Sequence, residues 1–347
     1  MGRPIIYLAS VAGSGRRMLE ALECDGAAAL IDQVQVAVGD GYLVEGDAAL
    51  IEAGEDDNRG GRSDDIARAR AIERRLADDE TVAFVALRGG AWLTRILGDI
   101  DCDVLNRRRR RITLFGFSEL TTLINIASAY PQAFCLHDLC PGFIRKGLRD
   151  QARRQREEMS EPDADARFRR EVTAFFQDVT NILEGRGSNR SITGSLVNGA
   201  LPVRTRARFV GGNLTVLTTL LGTAYAAAIN PTGRWLLLED VNESLDRIDR
   251  RLAHLKLAGF FDRCAGLLIG DFHEQEMDHQ ETVVHLLRYH LSSVADTPII
   301  ITRDVGHVWP LAPLPLNSPV MLDPSDAHAG RRRVGFHVCW PTVAPGA

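Results

Sequence analysis

Residues 112–124 read ITLFGFSELTTLI, an apolar run that ends at a glycine–phenylalanine–serine turn and continues as a helix-like stretch. A strand followed directly by a helix is one βα unit of an α/β fold. Ser118 lies at the turn, where a side chain is held on an exposed point and helix N-terminal amides can stabilise an oxyanion. The stretch predicts a nucleophile elbow, although the second glycine of GxSxG is absent and a helix N-cap serine fits the same position.

The rest of the N-terminal part alternates short apolar runs with amphipathic stretches. Residues 66–76, for example, carry apolar side chains at helical spacing. Such alternation is typical of a parallel sheet covered by helices, so we expect a Rossmann-like N-terminal lobe. Its predicted strands are residues 5–8, 34–38, 81–87 and 112–117.

The C-terminal part again mixes strands and helices. Its predicted strands are residues 235–238, 265–271 and 298–301, and a helix is predicted at 245–255. Between the two parts, residues 146–190 are rich in Arg, Glu and Asp, which indicates a charged helical excursion. We therefore expect a nucleophile-bearing α/β domain at 1–145, a charged connection at 146–200 and a mixed α/β domain at 201–347.

Length and composition indicate an ordinary globular protein. A chain of 347 residues exceeds one typical core, which favours two domains. No apolar run approaches the roughly 20 residues needed to span a bilayer, so a membrane protein is excluded. The apolar stretch at residues 5–8 is too short for the core of a signal peptide, so we expect a cytoplasmic location.

We expect no metal, nucleotide cofactor or nucleic-acid partner. The six cysteines lack paired CxxC spacing, and the polar loop 271–279 does not match HExxH. The glycines at 13 and 15 lack the third glycine of GxGxxG. The arginine run 107–111 could form a nucleic-acid patch, but it precedes an apolar strand, where a solvated turn is the simpler interpretation.

A serine nucleophile needs a base and a carboxylate that orients the base. Glu239 ends a strand that is otherwise apolar, and His307 lies between Gly306 and a proline-rich loop. Both positions fit these roles, but a strand-end acid and a loop histidine bonded to backbone explain them equally. Arg88-Gly89-Gly90 follows the strand at 81–87, where glycines allow backbone amides to approach a ligand, or simply form a tight turn.

Several segments together resemble the LD-carboxypeptidases, a serine-peptidase family that also includes self-immunity peptidases against microcin C. The matching stretches occur in the family's order and are residues 87–90, 116–121, 211–214, 238–243, 247–250, 265–272 and 306–307. The resemblance spans nearly the whole chain and is weakest at 140–200. The combination is far more specific than any single motif.

The resemblance implies roles for the residues at the matching positions. Ser118 would be the nucleophile, His307 the base and Glu239 the carboxylate that orients the base. The backbone amide of Glu119 and one from Gly89 or Gly90 would form the oxyanion hole. Because the serine and its partners fall in different lobes, the active site would form at the lobe interface.

The resemblance also implies the reaction and the assembly. The expected reaction hydrolyses the amide between an L-centre of a diamino acid and a terminal D-alanine, which trims a muropeptide tetrapeptide to a tripeptide. This activity would serve peptidoglycan recycling. A homodimer without a cofactor is implied as well.

The chain departs from the family pattern near the expected pocket. Glu119 replaces the aspartate that usually follows the serine, and Ala91-Trp92 replaces the usual tyrosine-glycine. Ala9-Ser10-Val11 replaces the usual Ala-Pro-Ser, and Asn317 stands where the late proline-leucine segment usually continues with glycine. All but the last could line the substrate side of the cleft. We expect Arg88 and Trp92 to line the pocket, and the bulky Trp92 to narrow or redirect substrate entry.

Two alternatives remain open from the sequence. The same three residues could act on another amide, such as a microcin C-like peptidyl-nucleotide. A two-lobed ligand-binding protein without catalysis is the other alternative, which the missing export signal and the complete Ser, Glu and His set disfavour.

Overall fold

The computed structural model describes residues 2–53, 62–157, 160–201, 204–291, 296–328 and 331–341. The chain forms two compact units, Met1–Asn189 with Trp340–Ala347, and Arg190–Cys339. Within the described ranges, no helix is both long and apolar enough to cross a membrane.

The first unit is built on a parallel sheet with strand order β2-β1-β3-β4-β5. This order confirms the predicted Rossmann-like lobe. The strands are β1 (Ile5–Ala9), β2 (Leu43–Gly46), β3 (Thr81–Ala86), β4 (Ile112–Gly116) and β5 (Ala133–His137). The helices are α1 (Arg16–Leu22), α2 (Ala27–Val38), α3 (Ala48–Ile51), α4 (Arg62–Ala77), α5 (Leu93–Ile96), α6 (Thr121–Ala127), α7 (Ile144–Gln155) and α8 (Glu161–Leu183).

One predicted strand in this unit is wrong. Residues 34–38 form the end of α2, and the second strand of the sheet comes later, at Leu43–Gly46. Ala27, Leu30 and Val34 are buried at helical spacing, whereas Val36 is 85% exposed. Residues 34–38 therefore continue the helical period of α2. Five residues are too few to distinguish that period from the alternation of a strand.

The charged segment after residue 145 contains most of α7 and all of α8. These helices pack against each other, and α8 also packs on α2, so the segment belongs to the first unit as far as Asn189. The segment packs in this way because α8 is amphipathic, with an apolar face opposite its charged residues. Its buried side chains include Phe168, Val172, Phe175, Phe176 and Val179.

The arginine run 107–111 closes the C-terminal end of α4. Arg108 is buried and donates hydrogen bonds to the carbonyls of Leu76 at 2.9 Å and Thr81 at 2.6 Å. A cation at orphan helix carbonyls is stabilising, although burial lowers the pKa of Arg108 to about 10. Arg109 and Arg110 pair with the acids at 79 and 80. These contacts give the run a structural role.

The second unit has the mixed α/β fold that the sequence predicted for the C-terminal lobe. Strands β13, β8, β9, β10 and β12 are parallel in that order, and β6, β15, β14 and β7 continue antiparallel. The strands are β6 (Thr193–Asn198), β7 (Thr205–Ala207), β8 (Phe209–Asn213), β9 (Trp235–Val241), β10 (Gly266–Glu274), β11 (Met277–Asp278), β12 (Ile299–Ile301), β13 (Leu314–Leu316), β14 (Val320–His328) and β15 (Arg331–Val338). The helices are α9 (Leu214–Thr218), α10 (Leu245–Leu257) and α11 (Gln280–His290).

Candidate active site

Ser118 stands at a sharp turn between β4 and α6. Phe117 is extended, whereas Ser118 has φ +58°, a left-handed conformation that a residue other than glycine rarely adopts. The chain then enters a short 3₁₀ turn, Ser118–Leu120, in which the Leu120 amide donates to the Phe117 carbonyl at 3.1 Å. Such backbone strain persists only where the surroundings enforce it, and it is concentrated at functional sites.

Two glycines give this turn its close contacts. A Cβ on Gly116 would lie 2.8 Å from Cβ of Leu120, so glycine lets the turn fold back on its own strand. A Cβ on Gly89 would lie 2.9 Å from Cβ and 3.1 Å from Oγ of Ser118. The structure therefore brings the predicted Arg88-Gly89-Gly90 turn directly beside the predicted nucleophile.

The side chain of Glu119, the residue after the predicted nucleophile, is held by contacts within the first unit. Its side chain is buried, and Oε1 accepts hydrogen bonds from the backbone amide and the hydroxyl of Thr94, both at 3.0 Å. Burial raises the pKa of this carboxyl, and the hydrogen bonds oppose that rise. The carboxylate thus accepts from an amide in the first turn of α5, although Glu119 itself is not part of that helix. Ser10, at another position that departs from the family pattern, is also buried, and its hydroxyl donates to the Gly13 carbonyl.

The two pocket candidates occupy different surroundings. Arg88 is half-buried, with its aliphatic stem beside Gly13 and Gly142. Trp92 immediately precedes α5, is 36% exposed and has φ +73°. The guanidinium of Arg95 lies over its ring, 5.1 Å from the centroid. Trp92 is therefore an accessible aromatic side chain on a restrained backbone.

In the second unit, Glu239 and His307 form a buried pair. Nδ1 of His307 donates to Oε2 of Glu239 at 2.8 Å, and the carboxylate has 0% exposure. This hydrogen bond leaves Nε2 as the nitrogen that can accept a proton from a nucleophile. The structure thus joins the two residues that the sequence predicted as base and orienting acid.

Glycines also allow this pair to form. Ideal Cβ atoms on Gly270 and Gly306 would lie 3.1 Å and 3.2 Å from Cβ of Glu239. Gly306 has φ +117°, so a side chain at this position would be strained as well as crowded. The Gly306-His307 dipeptide therefore places its imidazole against β9 because its first residue is glycine.

Asp240 is a buried carboxylate that was not predicted from the sequence as a site residue. It accepts hydrogen bonds at 2.9 Å from Nδ2 of Asn213 and from the backbone amides of Thr215 and Val241. Burial and the adjacent charge of Glu239 raise the pKa of Asp240 to about 6. Glu239 and Asp240 directly follow a run of leucines. Two adjacent carboxylates at the end of a buried strand are the signal that could have identified Asp240, because the core must accommodate both of them.

We expect the carboxyl of Asp240 to titrate near pH 6 in an NMR titration of the folded protein. Because its folded pKa lies above the unfolded value, the folded state holds the proton more tightly. The contribution of Asp240 to stability should fall as pH rises from about 4 to 6. Asp246 is the internal control, because a hydrogen bond from Ser244 lowers the pKa of its exposed carboxyl. A midpoint for Asp240 at or below that of Asp246 would contradict the burial argument.

The polar loop 271–279 is held by internal pairs. His273 hydrogen bonds through Nδ1 to Asp271, and Arg303 pairs with Asp271 and Asp278. His279 lies 3.4 Å from a carboxylate oxygen of Glu274. Among the residues that the structure describes, no group of three or more His, Cys, Asp or Glu side chains could hold a metal ion.

Comparison with known proteins gives consistent matches in both parts of the chain. Residues 8–137 match the family model described as the LD-carboxypeptidase N-terminal domain, and residues 206–322 match the LD-carboxypeptidase C-terminal domain. The chain is similar to a protein of Bacillus subtilis named as a probable murein peptide carboxypeptidase. That pair is 30% identical over 132 residues, which cover 37% of this chain and 40% of the relative.

Solved structures show the same fold. A muramoyltetrapeptide carboxypeptidase from Oxalobacter formigenes matches with a TM-score of 0.60 and 19% identity, over 97% of this chain and 100% of the other. The microcin C7 self-immunity protein, in its inactive mutant apo state, matches with a TM-score of 0.64 and 16% identity over 98% of both chains. At these identities the likeness establishes the fold alone.

Proposed function

Because the chain belongs to the LD-carboxypeptidase family, we propose that it is a serine-type carboxypeptidase that releases the terminal D-alanine from muropeptide tetrapeptides. The observation that carries this proposal is the strained Ser118, with φ +58° and the backbone of Gly89 beside its hydroxyl. A serine held this way is presented for attack instead of capping a helix. The hydrogen-bonded pair of Glu239 and His307 supplies the base and its orienting acid.

The proposed reaction proceeds through an acyl-enzyme. Oγ of Ser118 attacks the carbonyl of the amide before the terminal D-alanine, while Nε2 of His307 accepts the hydroxyl proton. The imidazolium returns this proton to the departing amine, the C–N bond breaks, and D-alanine leaves. Water, deprotonated by His307, then cleaves the ester and restores the serine. Glu239 fixes the ring orientation and stabilises the imidazolium in both steps.

The developing oxyanion needs donors that are in place before the reaction. We propose the backbone amide of Glu119 and an amide of the Gly89–Gly90 turn. Their positions are supported by the anchoring of the Glu119 side chain on Thr94 and by the close approach of Gly89 to Ser118. The amide of Ala91 is less suitable, because it donates to the carbonyl of Ala12 at 3.1 Å.

A second candidate substrate is the amide of a peptidyl-nucleotide. It is favoured by the likeness in fold to the microcin C7 self-immunity protein and by Trp92, which stands where the family pattern has glycine. The same serine, glutamate and histidine would perform the hydrolysis. The two candidates differ in what the pocket contacts beyond the amide.

A substrate panel separates the two candidates. We expect purified protein to hydrolyse a muropeptide tetrapeptide ending in D-alanine with kcat/KM about 10²-fold higher than an equivalent ending in L-alanine or a peptidyl-nucleotide amide. Initial rates from mass spectrometry of the released amino acid or amine provide the measurement. A preference for the peptidyl-nucleotide would select the second candidate. A folded protein that turns over none of the three would contradict the proposed function.

A further inference from the structure

We propose that Asp65, Arg68 and Arg95 form a positioning network that fixes the orientation of Trp92 and thereby sets the substrate preference of the site. The part that concerns preference rests on the proposed function. The network is centred on α4, which carries none of the predicted site residues.

Arg68 is the buried centre of the network. Its side chain is 1% exposed and pairs with Asp64 at 3.2 Å and with Asp65 at 2.6 Å. Its Nη1 also donates to the carbonyl of Val11 at 2.9 Å and to that of Trp92 at 3.5 Å. A buried guanidinium is stable only when its charge and its donors are matched, and both conditions are met here. Arg68 therefore ties the loops that follow β1 and β3 to the same helix.

Asp65 joins Arg68 to Arg95. One oxygen, Oδ1, accepts from Nη2 of Arg68 at 2.6 Å and from Nε and Nη2 of Arg95 at 3.1 Å and 2.6 Å. Burial opposes ionisation of this carboxyl, but hydrogen bonds from Arg95 and Arg68 lower its pKa. Asp65 is therefore a charged anchor that holds the Arg95 guanidinium in one place.

The anchored guanidinium restrains Trp92. It lies over the indole ring, 5.1 Å from the centroid, while Arg68 holds the carbonyl of the same residue. Trp92 has φ +73°, a conformation that a large side chain adopts only when its surroundings enforce it. Thr94, two residues later, is bonded to Glu119, the neighbour of Ser118. The network thus restrains both the backbone and the ring of Trp92, which lies two residues after the Gly89–Gly90 turn.

Arg95 is the member that can be tested without disturbing the core. Its side chain is 37% exposed, so its removal leaves Arg68 and Asp65 paired with each other. Lysine would keep the charge but could neither stack a flat guanidinium on the indole nor donate from two nitrogens of one rigid plane. Arg95→Ala and Arg95→Lys should therefore both release Trp92, whereas a purely electrostatic role would be rescued by lysine.

The structural readout is fluorine NMR of protein labelled with 5-fluorotryptophan. The chain has four tryptophans, and Trp92→Phe assigns the resonance of Trp92. We expect this resonance to shift or broaden in both Arg95 variants while the other three stay in place. Arg109→Ala is the matched control, because it removes an exposed arginine paired with Asp79 in the same unit and should leave the Trp92 resonance unchanged.

The kinetic readout is the ratio of kcat/KM for the tetrapeptide to kcat/KM for the peptidyl-nucleotide. We expect Arg95→Ala to change this ratio about 10-fold in wild-type background, mainly through KM, and to have no further effect in a Trp92→Ala background. A Trp92 resonance that does not move in Arg95→Ala, or an equal effect on the ratio in both backgrounds, would overturn the network. A wild-type protein that turns over neither substrate contradicts the proposed function instead, and the NMR result still decides the positioning of Trp92.

Discussion

Replacing Ser118 with alanine is expected to lower kcat/KM for D-alanine release by about 10³-fold or more. The substitution removes the attacking oxygen but keeps the Cβ, so it adds no atom that could crowd Gly89. Alanine and serine both carry a Cβ, so the cost of φ +58° at this position should change little. Initial rates on the tetrapeptide, measured by mass spectrometry, give the size of the loss. Thermal unfolding should be nearly unchanged, because the N-cap position of α6 is Leu120 and not Ser118.

Ser128→Ala is the matched control for this loss. Ser128 lies just after α6, and its buried hydroxyl donates to the Asn125 carbonyl at 2.7 Å. Its removal deletes a serine hydroxyl from the same βα unit without touching the elbow, so activity should stay within about 3-fold of wild type. Retention of more than about a tenth of wild-type activity in Ser118→Ala would contradict the assignment of the nucleophile.

Replacing Glu239 with glutamine is expected to lower kcat about 10²–10⁴-fold. Glutamine has nearly the same shape, so it fits between Gly270 and Gly306, but it is neutral and cannot stabilise an imidazolium at His307. Its amide can also present a donor to Nδ1, which favours the tautomer without a free acceptor at Nε2. The defect should therefore fall on kcat, with KM changed little.

The exposed Glu276 of the same unit provides the control for Glu239. Glu276→Gln makes the same chemical change outside the Glu239–His307 pair and should leave kcat unaltered. If Glu239→Gln kept kcat within about 3-fold of wild type, or lost activity only in proportion to unfolded protein, Glu239 would not orient the base.

The elements that the sequence predicted well are those whose signals are local. The apolar runs before Ser118 and Glu239 form strands within a few residues of the predicted bounds. The loop that begins at Gly306 places His307 in a hydrogen bond with Glu239. A strand at 34–38 was predicted wrongly because a short apolar run carries no reliable period. Local pattern thus predicted the sheet that carries Ser118 and the strand that carries Glu239.

The supporting contacts were not predictable because they join residues distant in the chain. Arg68 reaches the Val11 carbonyl across 57 positions, and Thr94 bonds to Glu119 across 25. Nothing in the sequence around Glu119 indicates that its carboxylate accepts hydrogen bonds from Thr94, because the direction of the side chain depends on the left-handed turn at Ser118. Side-chain direction at a strained turn follows from tertiary structure, which spacing does not encode.

Mass spectrometry of a muropeptide tetrapeptide, incubated with wild-type protein and in parallel with Ser118→Ala, tests the proposed reaction and the nucleophile together. We expect the wild type to convert the tetrapeptide to tripeptide and D-alanine in equal amounts, and the folded variant to release no more D-alanine than buffer alone. Equal release by both proteins, or an intact tetrapeptide after prolonged incubation with folded wild type, would contradict this expectation.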